Sequence, residues 1–194
     1  MIKYGESKLH WNYFLALEKD VEVLSRYIEF CDDNRSVFSI ELAHLLFAAS
    51  SEVDVVCKAF CKMAATKSPR NNIDDYRKVI LKTLPEFPHT KVTVSRFGMT
   101  LTPWENWGNG VSPDWWQSHN KVKHERDKHF NQATLQNTLN AMAGLLVITF
   151  EYYHFLRPQG FTLNGPWKTI SLLRPGTTLF KMPNWFFFGR EEIY

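Results

Sequence analysis

The chain is predicted to be mainly all-α: an up-and-down helical bundle with a small inserted β-hairpin and an irregular, aromatic-rich C-terminal tail. Three observations predict this. Apolar residues recur every three or four positions over long stretches, as in helices that bury one face. The intervals between these stretches are short, so successive helices fold back on one another. One interval instead alternates β-branched and polar residues, as a strand does. With 194 residues, a single domain spanning 1–194 is expected. The hairpin and loop insertion falls at about 87–112 and the extended tail at about 158–194.

The first helix is expected from Ser7, a good N-cap, to about Phe30. Phe14, Leu17, Val21, Leu24 and Ile28 form its apolar stripe. Cys31-Asp32-Asp33-Asn34 is a turn cluster. Ser36 can cap a second helix, in which Phe38, Leu42, Leu45, Ala49, Val53, Val56, Phe60 and Met63 hold the helical period until Ser68-Pro69. Glu41, His44 and Glu52 lie beside that stripe. Glu41 and Glu52 are separated by close to three whole turns and so face the same way. A third helix is expected from Ile73 to Leu84, with Asn72 as cap and Pro85 as stop. Lys91–Phe97 and Met99–Thr102, joined at Gly98, read as a hairpin, and Pro103–Gly110 as a loop. The last helix is expected to begin near Pro113-Asp114, with Ser112 as cap, and to run to about Leu156. Its length makes a break near Asn120 plausible. The tail carries Pro158, Pro166, Pro175 and Pro183 among aromatics, and is expected to lie over the helices or a partner.

Composition bounds the function. A net charge of +3 is a weak whole-molecule field, so any case for nucleic acid rests on local patches. The 15 Phe, 7 Trp and 7 Tyr can supply both a large core and an oligomer interface. The three cysteines lack structural-zinc spacing and read as reduced thiols, with no metal and no cofactor expected. Met1–Glu6 lacks a signal-peptide pattern. Ala141–Phe150 is shorter than the roughly 20 apolar residues needed to span a bilayer. A cytoplasmic protein with no membrane association is expected.

The chemistry concentrates in His119-Asn120-Lys121-Val122-Lys123-His124-Glu125-Arg126. On a straight helix, Asn120, His124 and Asp127 share one face and His119, Lys123 and Arg126 the next. Imidazole suits general acid/base work near neutral pH. Asn120 can orient a group, and Lys121, Lys123 and Arg126 can hold phosphate. Cations beside Trp115-Trp116 suit single-stranded nucleic acid, whose bases stack and whose phosphates pair. The same charges also describe a solvated helix face, and the two tryptophans also describe core anchors. Glu41 and Glu52 are candidate supporting acids, at least one of them a buried acid with a raised pKa or a partner for His124 or Lys123.

These residues resemble the HEPN superfamily of helical proteins. Its hallmark is an arginine, a polar residue such as Asn, a few further positions and a histidine. Asn120 and His124 match, and His119 stands at the arginine position. Phe130–Leu139 and the second helix, from Ser39 through Ser51-Glu52-Val53-Asp54 to Lys58, are also similar, and the resemblance spans roughly 8–157. Asp54 and Lys58 match an acid-then-lysine motif on an earlier helix.

The resemblance implies a homodimer with a composite cleft. Active members are metal-independent endoribonucleases, whose histidine and arginine assist attack of a ribose 2′-hydroxyl on the adjacent phosphate. Other members bind nucleotides, RNA or a protein partner such as an antitoxin. The expected settings are toxin–antitoxin or phage-defence systems. His119, Asn120 and His124 are the expected catalytic set. A histidine at the arginine position lacks the guanidinium fork and contacts phosphate only when protonated; Lys123 or Arg126 can replace that cation. The alternative is a non-catalytic helical interaction or scaffold protein, in which the aromatic hairpin and tail bind a partner.

Overall fold

The structure, a computed structural model, describes residues 7–156 and 173–182. It is mostly helical, with a small three-stranded antiparallel sheet. Helices α1 (Leu9–Leu24), α2 (Ile40–Ala64) and α6 (Leu135–Phe155) pack on one another, α2 with α6 most extensively. Their sequences dictate this. α1 buries Phe14, Leu17, Val21 and Leu24, and α2 buries Leu42, Leu45, Ala49, Val53, Val56 and Phe60. In α6 every side chain from Ala141 to Phe150 is buried. A helix apolar all round has no face to give to water, so it lies centrally. α3 (Ile73–Thr83) packs on α2. Asn72 caps it by accepting from Asp74 N and Asp75 N, each at 3.0 Å.

Several boundaries differ from expectation. α1 stops at Leu24 rather than near Phe30, with Ser25 Oγ donating to Glu22 O at 2.7 Å. Ser7 is not its cap. Ser39, not Ser36, caps α2, accepting from Leu42 N at 3.1 Å. The expected long last helix is broken. α4 (Asp114–His124) ends at Glu125, whose φ of −138° and ψ of 56° leave the helical region. A single turn, α5 (Arg126–His129), and a 3₁₀ turn (Phe130–Gln132) then lead to α6, capped by Thr134. The break lies beyond Asn120 because α6 finds partners for its first amides elsewhere. Leu135 N donates to Val37 O at 2.8 Å and Gln136 N to Arg35 O at 3.0 Å. Helix-start amides have no partner within their own helix, and here the 35–38 segment supplies one.

β1 (Val92–Val94) and β2 (Met99–Leu101) form the expected hairpin, closed through Gly98 at φ +63°. The third strand, β3 (Phe180–Lys181), was not foreseen; it pairs on the free edge of β1. Residues 173–182 thus lie over the helices, as the tail was expected to. Leu173, Leu179, Phe180 and Met182 are buried, and Trp11 Nε1 donates to Pro175 O at 2.9 Å. The rest of the expected tail lies outside the described residues. Among the described residues, no helix is long and apolar enough to cross a membrane.

The loop before α4 is an aromatic block. Trp104 and Trp107 are buried with ring centroids 4.3 Å apart, and Phe87 and Trp115 flank them. The block sits on Gly144 of α6: a Cβ there would lie 3.1 Å from the Trp115 ring and 3.5 Å from that of Trp104. Gly144→Leu is therefore expected to overpack this contact and lower stability by about 2 kcal/mol. Urea unfolding measures it, and an unchanged midpoint would show that the tryptophans have room to move.

Candidate functional site

The two tryptophans at its start seat α4. Trp115 Nε1 donates to Pro103 O at 2.8 Å, and both rings are buried. They are core anchors rather than stacking platforms. With them inside, Trp115, Trp116, Ser118, His119 and Val122 form the buried face of α4. His119 and His124, five positions apart, are rotated by about 140° around the helix. One therefore points inward and the other outward.

His119 is only 5% exposed. Its ring lies edge-on to Phe47 of α2 at 5.7 Å and tilted against Trp116 at 5.6 Å. Among the described residues its Nδ1 has no hydrogen-bond partner. Burial pushes the imidazole pKa from 6.5 down to about 4, with further lowering from Lys123 and His124 and an opposing pull from Asp54. It is thus neutral at pH 7. The expectation that it contacts phosphate as a cation does not fit this position, because the aromatic pocket disfavours the charged form. What His119 provides instead is a wall that sets the orientation of Phe47.

The remaining expected residues lie outward. Asn120 is half-buried; Lys121, Lys123, His124 and Arg126 are exposed around the α4–α5 elbow. Among the described residues, no ion pair engages Lys121, Lys123, His124 or Arg126. Arg126 instead places its guanidinium carbon 5.5 Å from the centroid of the Phe47 ring. Helix C-terminal carbonyls attract cations, which helps the last turn of α4 to hold three basic side chains. The nearby carboxylates are mostly matched. Glu125 pairs with Lys128 at 2.9 Å, and Asp54 pairs with Lys58 and accepts from Tyr76 Oη at 2.7 Å. Asp127 sits on α5, beyond the break, and so does not extend the Asn120–His124 face as a straight helix would have made it do.

Glu52 and Glu41 are not part of this cluster. Glu52 precedes Asp54 by two positions, about 200° of helix rotation, and faces α1. There His10 Nδ1 lies 2.6 Å from Glu52 Oε1, with Tyr152 edge-on to the imidazole at 5.2 Å. The partner of Glu52 is thus His10 rather than His124 or Lys123. Glu41 is exposed, 3.7 Å from His44, on the rim of a groove between α1 and α2 that Asp20, Tyr27 and Leu45 also line. The two glutamates do share a face, as their spacing predicts, but α1 lies against it. Reasoning from the sequence missed Phe47, Tyr76 and His10. Only Asp54 left a signal, through its spacing to Lys58.

Cys57 and Cys61 are free, buried thiols. Burial raises both pKa values, that of Cys61 to about 11. Such thiols are poor nucleophiles at neutral pH. Among the described residues, no group of three or more His, Cys, Asp or Glu side chains is arranged to hold a metal ion.

No family model matches the chain. No curated protein matches it, and no solved structure does. The class rests on geometry alone: a mostly helical protein whose α4–α5 elbow carries, around an exposed histidine, cations that no ion pair engages among the described residues.

Proposed function

We propose that this chain is a HEPN-like up-and-down helical bundle that binds single-stranded RNA at the α4–α5 elbow and cleaves it without metal as a homodimer. The observation that supports this reading is the set of cations, Lys121, Lys123 and Arg126, which no ion pair engages among the described residues, around exposed His124. Phosphate is the ligand such a set suits. In this reading Lys123 and Arg126 take over the role of the family's arginine, since His119 is buried. His124 takes the proton of the ribose 2′-hydroxyl as that oxygen attacks the adjacent phosphorus; the P–O5′ bond breaks, a 2′,3′-cyclic phosphate forms, and the leaving 5′-oxygen takes a proton from water. Asn120, one turn before it, orients the phosphate. A toxin–antitoxin or phage-defence setting, with an antitoxin as partner, belongs to the same proposal.

The test is cleavage of total cellular RNA by the purified protein with chelator present. Cutting is expected to persist in chelator and to fall at least about 100-fold in His124→Ala, the scale of a lost general base. Equal cutting by the variant, or loss of cutting in chelator, would sink the mechanism.

One observation favours the alternative, a non-catalytic interaction protein. Tyr27, 78% exposed, and Ile40, 62% exposed, present apolar surface near the α1–α2 groove. An intact fold that neither cuts nor retains RNA would shift the assignment to that reading.

A further inference from the structure

We propose that Phe47 and Arg126 form a nucleobase platform beside the phosphate-holding lysine; this rests on the RNA reading above and names the part of the ligand that is read there. Three observations carry it. The Arg126 guanidinium covers the Phe47 ring at 5.5 Å, although Arg126 itself is exposed. Among the described residues no ion pair engages it, and its exposed side chain leaves room for a further flat group. Phe47 is only half-buried and is held edge-on by His119, with interplanar angle 70°. The platform therefore has a fixed tilt and a rigid backing.

Lys123 belongs to the same locality. It follows His119 by one helical turn, and the His119 imidazole feels its charge. Guanidinium and aromatic faces both stack on bases with little regard to sequence. A phosphate-only site would need no aromatic under its arginine. The buried His119, which cannot serve as the phosphate cation, acquires a positioning role here.

The experiment compares two fluorescent 12-residue probes by anisotropy, both 2′-O-methylated so that the protein cannot cut them: an oligoadenylate and an abasic ribose-phosphate chain of equal charge. Wild type is expected to bind the oligoadenylate about tenfold more tightly, the scale of a stacked base. Phe47→Leu should bring that ratio near one while leaving abasic binding within about twofold, because the cations remain. Arg126→Lys keeps the charge, removes the plane and should likewise bring the ratio near one, whatever it does to binding of the abasic chain, so the test survives if Phe47→Leu is poorly folded. Lys123→Ala should weaken both probes alike. Equal binding of both probes by wild type, or an unchanged ratio in Arg126→Lys, overturns the platform and leaves the phosphate reading standing. Failure of wild type to bind either probe overturns both.

Discussion

Glu18→Ala is expected to release residues 173–182 from the helices and to lower stability by about 3 kcal/mol. Glu18 is a carboxylate on α1 with only 2% exposure. It accepts from the amides of Thr178, Leu179 and Phe180 at 3.1, 3.0 and 3.1 Å, and from the hydroxyl of Thr177. A buried anion is tolerated only when its lone pairs are filled, and here the main chain leading into β3 fills them. Alanine would leave three amides unsatisfied beneath Leu179 and Phe180. Glu18→Gln keeps the shape but turns an NH₂ donor toward amide donors, so it should also destabilise, by less. Urea unfolding gives the magnitude. Limited proteolysis reads the location, with cleavage expected within 173–182 in the variant. A wild-type midpoint together with a protected segment would show that β3 is held by its buried side chains alone.

Acidification is expected to destabilise the protein through His119, and His119→Phe should remove that part of the loss. The folded imidazole titrates at about 4 against 6.5 in the unfolded chain. Between those values the unfolded state binds a proton that the folded state refuses, so stability falls as pH falls. The slope approaches about 1.4 kcal/mol per pH unit, and the loss totals about 3 kcal/mol, levelling off as pH falls through the folded pKa. Phenylalanine keeps an aromatic ring against Phe47 and Trp116 and cannot titrate. The measurement is the unfolding free energy of both proteins from pH 7 to 4. The wild-type-minus-variant difference should grow steadily more unfavourable to wild type across that window. A flat difference would mean that His119 reaches solvent and is charged as readily as in the unfolded chain. The phosphate role denied to it here would then reopen.

Both effects depend on contacts between segments far apart in the chain. Most of the α1 and α2 stripes, the Asn72 cap and the hairpin turning at Gly98 were legible, because each is set by residues within a few positions of one another; Ile28 and Phe38, expected in those stripes, lie outside the helices, and Phe38 is 47% exposed. The histidine–lysine segment was legible as a cluster. Which of its faces turns inward was not, since that depends on Trp115 meeting Pro103 and Gly144 meeting the tryptophans. The break at Glu125 was misplaced for a similar reason: the amides that start α6 are satisfied by Val37 and Arg35, about a hundred positions upstream.

From the sequence alone came the helical class, most element positions, the inserted hairpin and the concentration of titratable side chains at 119–126. Only the tertiary structure decided that His119 is a neutral wall and His124 an exposed group, that Glu52 serves His10, that Arg126 lies over Phe47, and that β3 is tied to Glu18. The physical reason is one of range. Helix periodicity and capping are written in neighbouring residues. Burial, and with it protonation and pairing, is set by segments far apart in the chain that meet only once the core has closed.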